Sequence, residues 1–380
     1  MKQTYYIGLD AHKESIAIGF ALGGSRAKAV YHGGCGGSIS ATEAALRKLA
    51  KKLGVDFKDL KVCYEAGPTG FVLARRLIQL GLECVVMAPT KSTRKPNEKI
   101  KTDKKDAMKI AREFRNGDIT EVRIPPSNDQ AIRDVARART DASGDLTRAK
   151  QRLKSFLLCN GHRYSGSATW GGPHMNYLRG LTLQNPAQQI VLEEYLLAID
   201  HCLLRLNRLV DKMEELLADW EWKPAVEALM SFKGFKAVAA MTLVAELGDL
   251  RRFEGPRSLM AFLGLVPSEH STGTKRFQGA ITKCGNSHAR WMLVESAQHY
   301  RRPPKVSEQL SRRQQGQPAA VREIAWRAQT RLHTRYKRLK ARQVNENKAI
   351  IAMARELSSF IWELQSKTTI TMPPKPTART

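Results

Sequence analysis

Apolar positions fall in short runs near the N-terminus and in long helical repeats beyond it. "TYYIGLD" (4–10) and "ESIAIGFAL" (14–22) flank a polar turn and predict a β-hairpin. "AKAVYHGG" (27–34) reads as a third strand. "SATEAALRKLAKKLG" (40–54) carries helical spacing, with Ser40 or Thr42 as its cap and Gly54 as its stop. Strand, helix and strand follow in "KVCYEA" (61–66), "GFVLARRLIQLG" (70–81) and "ECVVMAP" (83–89). After a loop rich in Lys, Arg, Pro and Asn, "TDKKDAMKIAREFRNG" (102–117) predicts a helix capped by Thr102 and ended by Gly117. Strands followed by strand–helix repeats imply an α/β layer fold with a mixed sheet over residues 1–124.

The pattern then changes. Residues 125–222 hold two long charged helices, 128–158 and 185–220, the second with Ile190, Leu197 and Leu204 on one recurring face. They predict an antiparallel coiled coil or a helical hairpin, joined by a Gly/Ser-rich connector, 163–180, that carries Trp170. Residues 223–300 read as a compact helix-rich unit. Residues 301–380 read as a basic helical tail with helices over 319–343 and 347–365 and a disordered end from 368.

Composition narrows the function. The 380 residues suffice for two or three domains with real cores, and 42% hydrophobic content excludes wholesale disorder. A net charge of +27 and a pI near 10.1 imply a polyanionic partner, nucleic acid above all. No apolar run suggests a membrane span, and the first residues lead straight into a strand pattern, with no signal peptide. The six scattered cysteines form no CxxC and read as free thiols of a reducing cytoplasm, the expected location being bacterial and nucleoid-associated.

Against that charge, acids in certain places stand out. Asp10 follows the first apolar strand and Glu65 ends a later one. Asp103 and Asp106 lie one turn apart on one helix face, amid Lys99, Lys101, Lys104, Lys105 and Lys109. Each acid alone fits a solvated surface. Together they can converge at one edge of a sheet, where carboxylates repel unless a cation or a shared proton offsets them. Mg²⁺ (or Mn²⁺) favours such oxygen ligands and can stabilise the attacking and leaving oxygens of a phosphoryl transfer, while the lysines hold a phosphate backbone alongside.

Two further segments carry candidate chemistry. "LMSFKGFKAVAAMTLVAELGD" (229–249) resembles a helix-hairpin-helix, its turn offering backbone amides, Lys233 and Lys236 to a phosphate; an ordinary hairpin turning at Gly234 is the other reading. "FLGLVPSEHSTGTKRFQGAITKCGN" (262–286) places Ser271 in a Ser-Thr-Gly turn near Lys275, Arg276, Lys283 and Arg290, proposed phosphate contacts. A nucleophilic serine needs its proton removed or its attack aided by charge at the phosphate. His270 as a base and His12 as a ligand stay outside the candidate set.

Taken in order, "YYIGLDAHKESIAIG", "YEAGPTG", "KTDKKDA", "GFKAVAAMTLVAELGDLRRF" and "AFLGLVPSEHSTGTKRFQGAITKCGN" resemble the DEDD transposases of the insertion sequence 110 family, over nearly the whole chain to about residue 365. The resemblance implies an RNase H-like, RuvC-like N-terminal domain, then a coiled-coil region and a C-terminal transposase domain. Its four metal-binding acids map to Asp10, Glu65, Asp103 and Asp106, and its nucleophilic serine to Ser271, with Ser268 the nearest competitor. It further implies a phosphoserine intermediate aided by Mg²⁺, a homo-oligomer (dimer or tetramer) in which the acids assist from a partner subunit, and an element-encoded structured guide RNA that recognises donor and target DNA. Basic charge that reads backbones rather than bases fits such delegation.

Rival readings fit less of the chain. Sugar kinases and related ATPases share the broad fold but need a second Asp-Gly phosphate loop and an adenosine segment. A proofreading-type exonuclease carries DxE where this chain has Asp10-Ala11-His12. A RuvC-like junction endonuclease needs only the acids. A non-enzymatic nucleic-acid binder leaves the acids unexplained.

Overall fold

The computed structural model describes residues 3–89, 102–167, 169–272 and 275–367. The chain divides into two compact units, Met1–Pro125 and Pro126–Thr380.

The first unit runs β1 (Tyr5–Ala11), β2 (Ser15–Leu22), β3 (Val30–Gly36), α1 (Ile39–Leu53), β4 (Leu60–Glu65), α2 (Val72–Gln79), β5 (Glu83–Met87) and α3 (Asp103–Asn116). The strand order is β3-β2-β1-β4-β5. The β1–β2 and β2–β3 pairs are antiparallel, and β1–β4 and β4–β5 are parallel. This mixed sheet with helices is consistent with an RNase H-like α/β fold. Alternation along the strands feeds two cores. Ile7, Leu9, Val62 and Tyr64 pack against Leu46 and Leu49 of α1 and Leu77 of α2. Cys63 and Met87 meet Ile110 and Phe114 of α3 on the other face.

Most predicted elements appear near their expected positions. The cap of α1 does not: it is Ser38, whose hydroxyl accepts from the Ala41 amide at 3.1 Å. Thr42 lies a turn further in, buried, its own hydroxyl donating to the Ser38 carbonyl. Gly54 ends the helix with φ +66° as expected. Thr102 caps α3 and Gly117 stops it.

The second unit contains α4 (Ser127–Cys159), α5 (Gly172–Gly180), α6 (Pro186–Asp219), α7 (Lys223–Met230), α8 (Ala237–Leu247), α9 (Pro256–Phe262), the hairpin β6 (Pro267–Thr272) and β7 (Lys275–Ile281), α10 (Ser287–Ala297), α11 (Glu308–Gln314), α12 (Ala319–Ala341) and α13 (Glu346–Lys367). Helices α4 and α6 share a core of Leu146, Leu153, Leu157, Leu192 and Ile199. The buried face of α6 is therefore offset from the face singled out in the sequence. Ile190, Leu197 and Leu204 are 62%, 50% and 67% exposed, because the heptad that meets α4 starts two residues later.

Residues beyond 301 do not trail from this unit. Ile350, Met353, Leu357 and Ile361 of α13 are buried in the same core as Met241 and Leu243 of α8 and Leu293 of α10. The expected disordered end, from residue 368, lies outside the described residues. All six cysteines are free, and burial pushes the Cys63 and Cys84 thiols up to about 12. Among the described residues no helix is long and apolar enough to cross a membrane.

Candidate active site

Glycine brings the start of α3 close to the end of β1 that carries Asp10. Gly8 and Gly19 are register partners on β1 and β2, and α3 crosses directly over them. A Cβ on Gly8 would stand 2.3 Å from the Ala107 carbonyl oxygen and 2.3 Å from the Ala111 amide nitrogen. Helix backbone at Ala107, which follows Asp106, and at Ala111 thus rests on sheet backbone at Gly8, two residues before Asp10. Gly8→Ala forces these backbones apart. The expected cost is about 1–3 kcal/mol of stability, read by denaturant unfolding. An unchanged midpoint would contradict this packing account.

Asp10 is part-buried near the end of β1, while Asp103 in the first turn of α3 is exposed. Asp10, His12 and Asp103 each offer a ligand atom within 4.8 Å of the others. His12 Nε2 is 3.3 Å from Asp10 Oδ2 and 3.8 Å from Asp103 Oδ1. Burial raises the Asp10 carboxyl above its ordinary range; His12 opposes this, and the charges of Asp106 and Asp103 add to it. Glu65 follows Tyr64, the register partner of Leu9, so it occupies the same end of the neighbouring parallel strand as Asp10. A part-buried carboxylate whose proton affinity is raised beside other acids suits a hard divalent cation. His12, left outside the candidate set by sequence, stands beside Asp10 just past the end of β1.

The lysines expected around this site separate. Lys104 is exposed, with Nζ 5.4 Å from the Tyr31 ring centroid, and Lys105 is exposed at the helix start. Lys109 pairs with Glu113 at 3.8 Å. Lys99 and Lys101 lie outside the described residues.

In the second unit, Ser271 is exposed on β6 and its hydroxyl donates to Glu269 Oε1 at 2.8 Å. Arg276, its register partner on β7, donates to Glu269 Oε2 at 2.7 Å. Gln278 reaches that oxygen at 3.4 Å. Alternation puts Glu269, Ser271, Arg276 and Gln278 on one face of the hairpin, and His270 with Phe277 on the other. The hydrogen bond from Arg276, then that from Ser271, hold the Glu269 carboxyl down to about 2. Glu269 is the residue sequence reasoning missed: adjacency drew attention to His270, whereas strand period 2 selects Glu269. Ser268 sits at a register irregularity, its hydroxyl oxygen 2.5 Å from where a Cβ on Gly279 would stand.

The base of the hairpin is tightly packed. Gly264 (φ +62°) and Gly285 (φ +74°) meet there, and a Cβ on Gly285 would lie 1.9 Å from the Phe262 carbonyl oxygen. Arg290 Nη1 donates to the carbonyls of Leu263 (2.9 Å) and Cys284 (3.1 Å) and so braces the hairpin's base. Lys283 is exposed with φ +56°. The Lys275 side chain lies outside the described residues.

The helix-hairpin-helix segment appears as α7, a turn with Gly234 at φ +91°, and α8 with Lys236 at its N-cap. Lys233 is turned inward, its Nζ donating to the carbonyls of Arg302 (3.3 Å) and Pro303 (2.8 Å). Burial pulls its ammonium below the ordinary lysine range, with the Arg302 charge adding to the effect. Lys236 is exposed.

Known proteins share both regions. A transposase family model of the IS110 DEDD type matches residues 7–159, and the model of the transposase IS116/IS110/IS902 family matches residues 226–311. The transposase-type protein y4qE of Sinorhizobium fredii is 38% identical over 359 residues, covering 94% of this chain and 88% of its own. The transposase for insertion sequence element IS1533 of Leptospira borgpetersenii is 30% identical over 346 residues, covering 90% and 99%. The transposase for insertion sequence element IS1328 of Yersinia enterocolitica is 26% identical over 254 residues, covering 63% and 70%. With family models matching both units and relatives aligned over most of the chain, the chain belongs to the IS110 family of transposases.

Proposed function

We propose that this transposase cuts and joins donor and target DNA at specific sites through a phosphoserine intermediate on Ser271. The hydrogen bond from Ser271 to Glu269, with Arg276 on the other carboxylate oxygen, carries the reading. A carboxylate already accepting the serine proton is placed to take it fully. A phosphate entering the hairpin competes for Arg276. As Arg276 turns to the phosphate, Glu269 loses the contact that most depresses its proton affinity and becomes a stronger base. Serine Oγ then bonds to phosphorus, one deoxyribose oxygen leaves, and the proton from Oγ passes to Glu269 while the leaving oxygen is protonated by solvent. Arg276 holds the charge that builds on the phosphate.

Asp10, Glu65, Asp103 and Asp106 are the proposed ligands of Mg²⁺ (or Mn²⁺), with His12 bracing Asp10. Such an ion would neutralise charge on the attacking and leaving oxygens of a phosphoryl transfer. The first unit is accordingly assigned as the RuvC-like DEDD domain (1–124), residues 125–222 as the coiled-coil region and 223–300 as the transposase domain, followed by basic helices over 301–380.

The +27 charge supports a structured guide RNA as partner beside the DNA. The exposed apolar row Ile190, Leu197 and Leu204 supports a homo-oligomer, in which the acids of one subunit assist the serine of another. The proposed location is the bacterial cytoplasm, at the nucleoid.

Glu269→Gln keeps the shape and removes the base. It is expected to slow DNA–protein adduct formation about 10²-fold or more with DNA affinity retained, and Glu269→Asp to recover part of the rate. Adduct formation by Glu269→Gln at the wild-type rate would remove Glu269 from the chemistry. Gel-resolved single-turnover reactions read both.

A further inference from the structure

Helix α12 carries a charge pattern that the serine and acid sites do not use. Between Ala319 and Ala341 it holds Arg322, Arg327, Arg331, Arg335, Lys337, Arg338 and Lys340 against one acid, Glu323, and Arg342 follows. Its inner face is buried: Val321, Ala325, Ala328 and Leu332 are at 0% exposure in the core. The outer face is fixed to that core and cannot splay freely.

On that outer face Arg331, Arg335, Arg338 and Arg342 recur at intervals of four, three and four, the spacing of one helical stripe. They line a groove of about 530 Å³ toward α13, whose contribution is the single acid Glu356. Arg331 Nε bonds Glu356 Oε1, and Arg335 Nη1 lies 3.0 Å from Glu356 Oε2. One carboxylate thus orients two guanidiniums while four line the groove. Arg338 and Arg342 are exposed. A groove that only held two helices together would balance its charges; this one keeps an excess of positive charge on a rigid wall.

We infer that the α12–α13 groove binds the phosphodiester backbone of a nucleic-acid strand, through Arg331, Arg335, Arg338 and Arg342. The inference rests on reading the chain as a nucleic-acid enzyme and adds a binding site apart from the reacting groups. From Arg331 to Arg342 the helix rises about 16 Å. Phosphates of one duplex strand follow every ~3.4 Å of axis, so a duplex whose axis runs along the stripe spans about four or five base-pair steps beside it. Guanidinium forks suit phosphate oxygens and carry no base code, so this contact is independent of sequence. Glu356 sets the fork planes of Arg331 and Arg335 in advance, lowering the ordering cost of binding.

The test is a salt titration of full-length protein binding to two labelled probes, a random-sequence DNA duplex and a structured RNA hairpin. Arg338→Gln/Arg342→Gln leaves both Glu356 pairs intact. It should weaken binding about tenfold or more and flatten the slope of log affinity against log salt by about two. Arg338→Lys/Arg342→Lys should keep most of the slope. Lys51→Gln/Lys52→Gln, an equal charge loss at the end of α1, should change it little. Flattening on the duplex alone assigns DNA to the groove, on the hairpin alone RNA, and on both a shared backbone contact. An unchanged slope in the Arg→Gln pair, or an equal change in the Lys→Gln pair, overturns the inference. Adduct formation is read separately: no adduct in wild type, together with a flattened slope in the Arg→Gln pair, would sink the serine chemistry and leave the groove standing.

Discussion

Asparagine in place of Asp10 is expected to lower DNA strand cleavage about a thousand-fold, roughly 4 kcal/mol of metal-assisted stabilisation, without lowering thermal stability in metal-free buffer. The two halves have one cause. Burial and the charges of Asp106 and Asp103 raise the Asp10 carboxyl above its ordinary range. A raised carboxyl favours the fold while protonated, and that contribution is lost as pH climbs through the folded value. At neutral pH the ionised Asp10 therefore strains the fold unless a cation offsets it. The neutral amide removes the strain and the ligand together. Added Mg²⁺ should raise the wild-type melting temperature by ligand linkage and leave Asp10→Asn unmoved. A variant that melts lower than wild type without metal, or keeps cleaving, would remove Asp10 from the proposed metal site.

Glu246→Gln is expected to destabilise the second unit by about 3–5 kcal/mol, a fall in melting temperature on the order of 10 °C. The Glu246 side chain is fully buried. Arg137 clasps it with two hydrogen bonds, 2.7 and 3.0 Å, and Arg133 Nε lies 3.7 Å away. Asn286 Nδ2 donates to Glu246 Oε2 at 2.7 Å while Asn286 Oδ1 caps α10. Burial pushes the Glu246 carboxyl up, but the bonds from Arg137 and Asn286 outweigh it and hold it below its usual range. Its stabilisation is thus full above the ordinary carboxylate range and lost as pH falls below it. Glutamine leaves two guanidiniums without their counter-charge. Because Asn286 ends the return from the serine hairpin, the network ties α4, α8 and the hairpin's base together. A loss under about 1 kcal/mol in thermal unfolding would show that water or rearrangement replaces it.

What was legible in the sequence was mostly local. The strand runs, the αL stops Gly54 and Gly117 and the Thr102 cap follow from periodicity and capping chemistry, and each appears as expected. What was not legible depends on packing. Gly8 and Gly19 look unremarkable until α3 is known to lie on them. Ile190, Leu197 and Leu204 form as regular a heptad as Leu192 and Ile199, and only the partner helix decides which row is buried. Arg290 and Lys233 looked like free phosphate ligands by charge, but backbone carbonyls hold both. Glu269 was readable from strand alternation once "PSEHST" is a strand, and its pairing with Arg276 required the hairpin register. The α13 residues that complete the second core carry helical spacing, but spacing alone does not say which core receives them.

The most direct test of the central claim is a covalent-trapping assay. Full-length protein is incubated with Mg²⁺, co-purified RNA and labelled donor and target DNA, then resolved on denaturing gels beside Ser271→Ala, Ser268→Ala and Asp10→Ala. The account predicts a DNA–protein adduct in wild type and Ser268→Ala that is lost in Ser271→Ala. Cleavage without an adduct, unchanged in Ser271→Ala but abolished in Asp10→Ala, would contradict it and leave a metal-dependent nuclease in place of a serine recombinase.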